Sequence, residues 1–305
     1  MTDWGVYPYP EEEMSDPMAA KWAVERLQEQ HDKPFMLMVG FLRPHVPWYV
    51  PQRWFDALGD PADLTLPPYK ADDFDDLSDY VVATSIAKDY PRTEWAIETG
   101  QWDDIVHAYL AAVHFVDHYI GQVLDALAAS PYADNTIVVL WSDHGYLVGE
   151  KNTFQKHNLW ERSGKVPLIV AGPGVPQGET RGQQVGLIDI YPTLLDLADL
   201  PENPVNAGHS LVPLLEDAST DWEYPVITQW RRNRDNWDRR GQAVQIGSWR
   251  YSLYGDGSEE LYNHADDPNE WTNLAYDPET AAQHRELMDQ LKAYLPKDFY
   301  TMEPR

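Results

Sequence analysis

The sequence predicts an α/β fold, with a largely parallel sheet flanked by helices and a small α+β subdomain at the C-terminal end. Three observations predict it. Almost continuous apolar runs, suited to strands buried on both faces, alternate with helical periodicity through about residue 200. The polar and proline-rich segments fall at the ends of those runs. After Pro204 the texture changes to short segments joined by turns. With 305 residues, 43% of them hydrophobic, the chain can bury a sizeable core in one large domain or two smaller ones. The change of texture divides it into a domain over 1–204 and a subdomain over 205–305.

Residues 1–14 read as an irregular lead-in. A helix follows to about His31, with Ser15 or Asp16 as its cap, Pro17 in the tolerated first turn, and Ala20, Val24 and Leu27 on one face. PFMLMVGF, residues 34–41, reads as a buried strand, and LRPHVPWYVP stiffens the loop beyond it with three prolines. The polar, Asp-rich stretch 59–102 reads as a long loop with short helical pieces, a length that is usually functional or mobile. An amphipathic helix spans 103–130, turning Ala108, Ala111, Ala112, Phe115, Val116, Ile120, Val123, Leu124 and Leu127 inward. TIVVLWSDHG from residue 136 and VPLIVAGPG over 166–174 are two further strands, and IDIYPTLLDLADL over 188–200 is a helix. WEYPVITQW, AVQIGSWRYSLYG and EELYNH read as short antiparallel strands, and a last helix covers about 279–295.

Fifty acidic residues against 23 basic give a net charge of -27, which repels nucleic acid and anionic membranes. An anion would need a locally basic or metal-loaded site. There is no cysteine, so disulfides, thiolate zinc sites and Cys nucleophiles are excluded within these residues. MTDWGVYPYPEEEMSDP lacks the basic start and apolar run of a secretory signal, and no stretch is apolar for the roughly 18 residues that a membrane span needs. Thirteen Trp and 18 Tyr exceed what catalysis could use, so most of them are core.

Ligands of open α/β sheets bind beyond the C-terminal ends of strands. Two such ends carry chemically capable residues. Asp143 and His144 directly follow TIVVLW and could offer a carboxylate oxygen and an imidazole nitrogen to one divalent ion. Alone, the pair also reads as a capping Asp beside a surface His. Gly145 would let the backbone turn sharply there. His45, in the proline-stiffened loop after 34–41, is placed for proton transfer or anion contact. Lys156, in EKNTFQKHNLWE, can bind an oxyanion as a point charge, and the adjacent His157 could be the active partner instead. Trp48, Trp54 and the loop 59–102 are candidates to shape a substrate pocket.

The run YLAAVHFVDHYIGQVLDAL…ADNTIVVLWSDHGYLVGEKNTFQKHNLWERSGKVPLIVAGPG closely resembles the sulfatase family of the alkaline-phosphatase-like superfamily. PFMLMVGFLRPHVPWYVPQRWFD, LPPYKADDFDDL and EELYNHADDPNEWTNLA are similar to its iduronate-2-sulfatase-like branch. The resemblance runs from about residue 15 to the end. It implies a sulfuric ester hydrolase acting on a sulfated small molecule or carbohydrate. It also implies that Asp143 and His144 match the second pair of metal ligands, usually for calcium. His45 matches the His at the sulfate or leaving-group oxygen, and Lys156 the Lys on a sulfate oxygen.

Members of the family begin with a strand carrying an Asp-Asp metal pair, followed by a Cys or Ser whose side chain becomes the formylglycine nucleophile. No Cys or Ser-x-Pro-x-Arg motif occurs in these residues, and the Asp-Asp pairs at 72–73, 75–76, 103–104 and 266–267 follow no apolar strand. The resemblance therefore implies that the N-terminal part of the fold is missing and only half of the metal site is present. The isolated chain is then expected to be inactive. It would need a separate N-terminal segment or self-association to cover an unpaired edge. A non-catalytic relative that binds sulfated sugar and a phosphoester hydrolase of the same superfamily are the alternatives.

Overall fold

A computed structural model describes residues 2–86, 89–234 and 237–297. In chain order the elements are β1 (Trp4–Val6), α1 (Ser15–Gln28), β2 (Trp48–Val50), α2 (Gln52–Asp56), α3 (Asp79–Ser85), α4 (Thr93–Glu98), α5 (Trp102–Ala128) and β3 (Val138–Trp141). They continue with α6 (Glu161–Gly164), β4 (Leu168–Ala171), α7 (Ile190–Leu197), α8 (Val212–Glu216), β5 (Val226–Arg234), β6 (Trp237–Ile246), β7 (Trp249–Tyr254), β8 (Glu259–Asn263) and α9 (Ala281–Lys292). The chain folds as two units, each assembled from separate segments. The first comprises Met1–Tyr69, Lys88–Thr136 and Val148–Phe154; the second comprises Lys70–Ala87, Ile137–Leu147 and Gln155–Arg305. None of the described helices is long and apolar enough to cross a membrane.

The first unit is built on α1 against α5. Small residues on the facing stripes, Ala20 and Ala23 on α1 and Ala108, Ala111 and Ala112 on α5, are fully buried and let the helix axes approach closely. The buried stripe of α5 ends near Tyr119; Leu124, expected inside, is exposed. The expected cap of α1 also differs. Met14 is the N-cap residue, while the buried Asp16 carboxylate accepts hydrogen bonds from the backbone N–H groups of Leu42 (2.6 Å) and Arg43 (3.1 Å). A residue expected to cap its own helix thus holds the start of the RPHVP loop.

The second unit centres on the antiparallel sheet β5-β6-β7-β8. Val244, Tyr251 and Leu261 of this sheet and Ala275 pack with Met288 and Leu291 of α9 and Leu295 beyond it to form its core. The strands and terminal helix expected after Pro204 are present. A second cluster joins Ile86, Leu147, Trp160 and Tyr262.

The largely parallel sheet is not seen among the described residues. One parallel pair, β1 with β2, is three residues long, and β3 pairs with β4 antiparallel. Residues 34–41, expected as a buried strand, take part in no ladder, and Met36 and Met38 are 69% and 72% exposed. The reason is that a strand is defined by its neighbour. Apolar composition makes 34–41 fit to be buried in a sheet, but backbone N–H and C=O groups without a paired chain form no ladder. For the same reason β3 and β4 are only half-buried, and Trp141 and Ile169 are exposed.

Candidate functional site

Asp143 and His144 stand directly after β3, where the sequence places them, and the second unit brings Lys156 to them. The Asp143 carboxylate lies 3.6 Å from Nε2 of His144. Nε2 is in turn 2.5 Å from the Lys156 ammonium, and Nδ1 lies 2.7 Å from the carbonyl of Gly145. A carbonyl can only accept, so Nδ1 carries the proton and Nε2 presents a lone pair. Burial pushes the Lys156 ammonium below its ordinary pKa, and the charge of Asp143 pulls it partly back. The Asp143 side chain is 83% exposed and open to ligands, whereas that of His144 is 31% exposed.

The backbone of this corner is set by sterics. Gly145 was expected to serve a sharp turn, but its φ is not in the left-handed region. What excludes a side chain is a close approach. A Cβ at Gly145 would lie 2.0 Å from the Arg162 carbonyl oxygen and 2.8 Å from that of Lys165, and the Gly145 N–H donates to Ser163 O at 2.9 Å. Ser142, whose hydroxyl donates to the His144 carbonyl (2.9 Å), braces the same turn.

Lys156 is carried on an anchored segment. Gln155 is buried, its amide donating to the Ser85 carbonyl and its own carbonyl accepting from Leu147 N–H at 2.9 Å. The Asn158 side chain accepts from Trp160 N–H (3.1 Å) and the Ser163 hydroxyl (2.8 Å). The Leu159 carbonyl accepts from the Arg250 guanidinium (Nε, 3.0 Å), which is itself buried 3.4 Å from Glu270. Leu159 and Trp160 are fully buried. His157, the expected alternative to Lys156, is half-buried and has interactions of its own.

His45 and Trp48 belong to the first unit. Between two proline peptides, the His45 N–H donates to Leu42 O (2.9 Å) and its Nδ1 lies 2.6 Å from the Val46 carbonyl. By the same argument as for His144, Nδ1 carries the proton, and Nε2 keeps its lone pair. Trp48 is completely buried. Its indole N–H donates to the Pro44 carbonyl at 2.7 Å and its ring meets Tyr109 edge-on at 5.5 Å. A side chain with no exposed surface cannot line a pocket, so Trp48 braces the His45 loop from behind. Trp54 is likewise buried, its N–H on Glu11 and the Arg53 guanidinium over its ring.

A surface cavity of about 500 Å³ in the first unit is lined by Glu11, Lys21, Arg53, Tyr119 and Gln122 among others, and includes none of the expected site residues. Sequence reasoning missed the ionic network on its wall, because Glu11 sits in an acidic run that reads as solvated surface.

Two donors on one divalent ion, each about 2.0–2.3 Å from it, lie roughly 3–3.7 Å apart. The Asp143–His144 separation of 3.6 Å falls in that range. The pair thus fits part of a divalent site, with a nitrogen donor that suits manganese or zinc better than calcium. No group of three or more His, Asp and Glu side chains able to hold a metal occurs among the described residues.

The sulfatase family model matches residues 2–200. The chain belongs to the sulfatase family. A second model, of the C-terminal region of N-sulphoglucosamine sulphohydrolase, matches residues 149–297. A sulfatase of Formosa agariphila is 44% identical over 97% of this chain, which spans 56% of that protein. Delta 4,5-hexuronate-2-O-sulfatase of Bacteroides thetaiotaomicron is 32% identical over 64% of the chain and 43% of its own length. In fold, the chain matches the phosphonate monoester hydrolase of Silicibacter pomeroyi with a TM-score of 0.81. That match is 20% identical and covers 94% of this chain and 60% of that one. The α/β sulfatase-type architecture is thus shared with hydrolases of a second ester class. This sulfatase chain therefore spans about half the length of the curated relatives it matches, and sulfatases typically bind a divalent metal.

Proposed function

We propose that the chain carries part of the apparatus of a sulfate ester hydrolase of the iduronate-2-sulfatase-like branch, acting on sulfated carbohydrate. The observation that carries this reading is the grouping of Asp143, His144 and Lys156 at the end of β3, in a chain of this family. Asp143 and His144 would hold a divalent cation as half of its site, with calcium as the family's usual ion. A bound cation would supply charge neutralisation for the sulfate oxygens. Lys156 binds a sulfate oxygen as a point charge, with His157 beside it. His45, once its Nε2 has taken up a proton, gives that proton to the leaving alcohol oxygen. Trp48 acts on the substrate side only through the loop that it braces. The sulfated sugar is inferred from the substrate named for the Bacteroides relative.

The covalent step needs a nucleophile, and these 305 residues contain no Cys. Ser142 is spent on the His144 carbonyl. This favours a second reading, in which the chain binds sulfated sugar without turning it over. The resemblance to a phosphonate hydrolase, at 20% identity, speaks for the fold alone.

The test is an assay of the purified 305-residue chain with an aryl sulfate, together with calorimetric binding of a sulfated disaccharide. We expect no turnover above background. We also expect disaccharide binding weakened about tenfold or more in Lys156→Ala, the worth of a hydrogen bond to a charged group. Robust turnover abolished by His45→Ala would overturn the reading that the chain binds sulfated sugar without turning it over. Disaccharide binding indifferent to Lys156 would overturn the site.

A further inference from the structure

We infer that Lys156 is a built-in stand-in for the divalent ion, and that ion entry and release of Lys156 from His144 are a single exchange. The inference rests on the reading of Asp143 and His144 as cation ligands. Its basis is the lone pair of one nitrogen. The Gly145 carbonyl, 2.7 Å from Nδ1, accepts a hydrogen bond from Nδ1–H, so Nε2 of His144 has one lone pair to give. The Lys156 ammonium takes it at 2.5 Å. Nε2 would also be the donor to a metal, because the Asp143 carboxylate lies 3.6 Å away on that side of the ring. One lone pair serves one partner, either an N–H donor or a metal ion. A divalent ion and an ammonium at the same place would also repel each other strongly in a partly buried setting.

The tether sets how the exchange proceeds. The backbone on both sides of Lys156 is held by buried Gln155 and Asn158, so the segment stays and only the flexible four-carbon stem swings. An arriving ion therefore frees an ammonium a few ångströms from itself. Cation loading then creates the second positive group that an oxyanion such as sulfate requires, and without the cation that group is occupied. The ligand class is a divalent cation first and a tetrahedral oxyanion second, bound in that order.

The experiment is a calorimetric titration of the full chain with manganese chloride and with calcium chloride, in the wild type, Lys156→Met and Asp143→Asn. Lys156→Met should bind ion at least about tenfold more tightly than the wild type, since the competing charge-assisted contact is gone. Asp143→Asn should lose binding in both backgrounds. Equal affinity of wild type and Lys156→Met, with loss in Asp143→Asn, would overturn the exchange and leave the ligand pair standing. Affinity indifferent to Asp143→Asn would overturn the pair itself. No binding by Lys156→Met would overturn the exchange. A measurement without substitutions is the long-range ¹H–¹⁵N spectrum of the wild-type histidines in metal-free buffer. It should show His144 protonated on Nδ1, with its Nε2 signal moving when ion is added. An Nε2–H tautomer would overturn the proposal.

Discussion

Glu11 shows how far one residue's environment departs from its sequence context. It opens an acidic run, yet its carboxylate accepts from Arg53 at 2.9 and 2.8 Å, from Trp54 at 3.1 Å and from Tyr119 at 2.7 Å. Burial pushes its pKa up, but the hydrogen bonds from Arg53, Tyr119 and Trp54 outweigh this and hold it below the ordinary glutamate range. A lowered folded value means the unfolded chain takes up the proton first. The stabilisation is therefore present above the ordinary value, near 4.5, and is lost as pH falls through the folded one. Glu11→Gln should cost about 1–3 kcal/mol at neutral pH in urea unfolding, the difference shrinking as the pH falls below the ordinary glutamate range. A difference that grows in acid would contradict the assignment. At the candidate site, Asp143 and His144 are legible as candidates because they follow an apolar strand, whereas Lys156 lies in the loop beyond and only the fold brings it to His144. The role of Trp48 is not legible, since nothing in WYV says which ring is enclosed.

At the scale of elements, the long helices are legible in the sequence. The 3.6-residue period reports a helix's own buried face, and α1, α5 and α7 lie within a few residues of expectation. Strands depend on a neighbour, and 34–41 shows the consequence. The turn after β3 depends on its surroundings in the same way, because Gly145 is required by the carbonyls of Arg162 and Lys165, some twenty residues away. Gly145→Ala should therefore destabilise the chain by about 1–3 kcal/mol or more, since backbone atoms cannot move aside as a flexible side chain can. Thermal unfolding of the variant should show a clear fall in Tm. An unchanged Tm would mean that the close approach relaxes freely.

At the scale of the whole molecule, two surface properties oppose each other. The unpaired run 34–41 exposes Phe35, Met36 and Met38, and Leu42 just beyond it is exposed too, an apolar stretch with no ladder partner among the described residues. Such a surface invites association. The net charge of -27 resists it by mutual repulsion, which salt screens. The chain should therefore bind a hydrophobic dye at low salt and self-associate as sodium chloride is raised. Sedimentation velocity showing a monomer at every salt concentration, without dye binding, would contradict this.

By itself the sequence determined the family, the α/β class, the antiparallel C-terminal sheet with its helix, and the residues of the Asp143–His144 corner. The class and the C-terminal sheet follow from local periodicity, the corner from residue types at a strand end, and the family from the resemblance of whole runs such as TIVVLWSDHGYLVGEKNTFQKHNLWE, all of which belong to the chain alone. Tertiary structure decided which apolar runs pair, where a side chain is enclosed, and that Lys156 rests on the lone pair of His144. Each of these depends on atoms brought together from distant positions, and a one-dimensional pattern carries no distances.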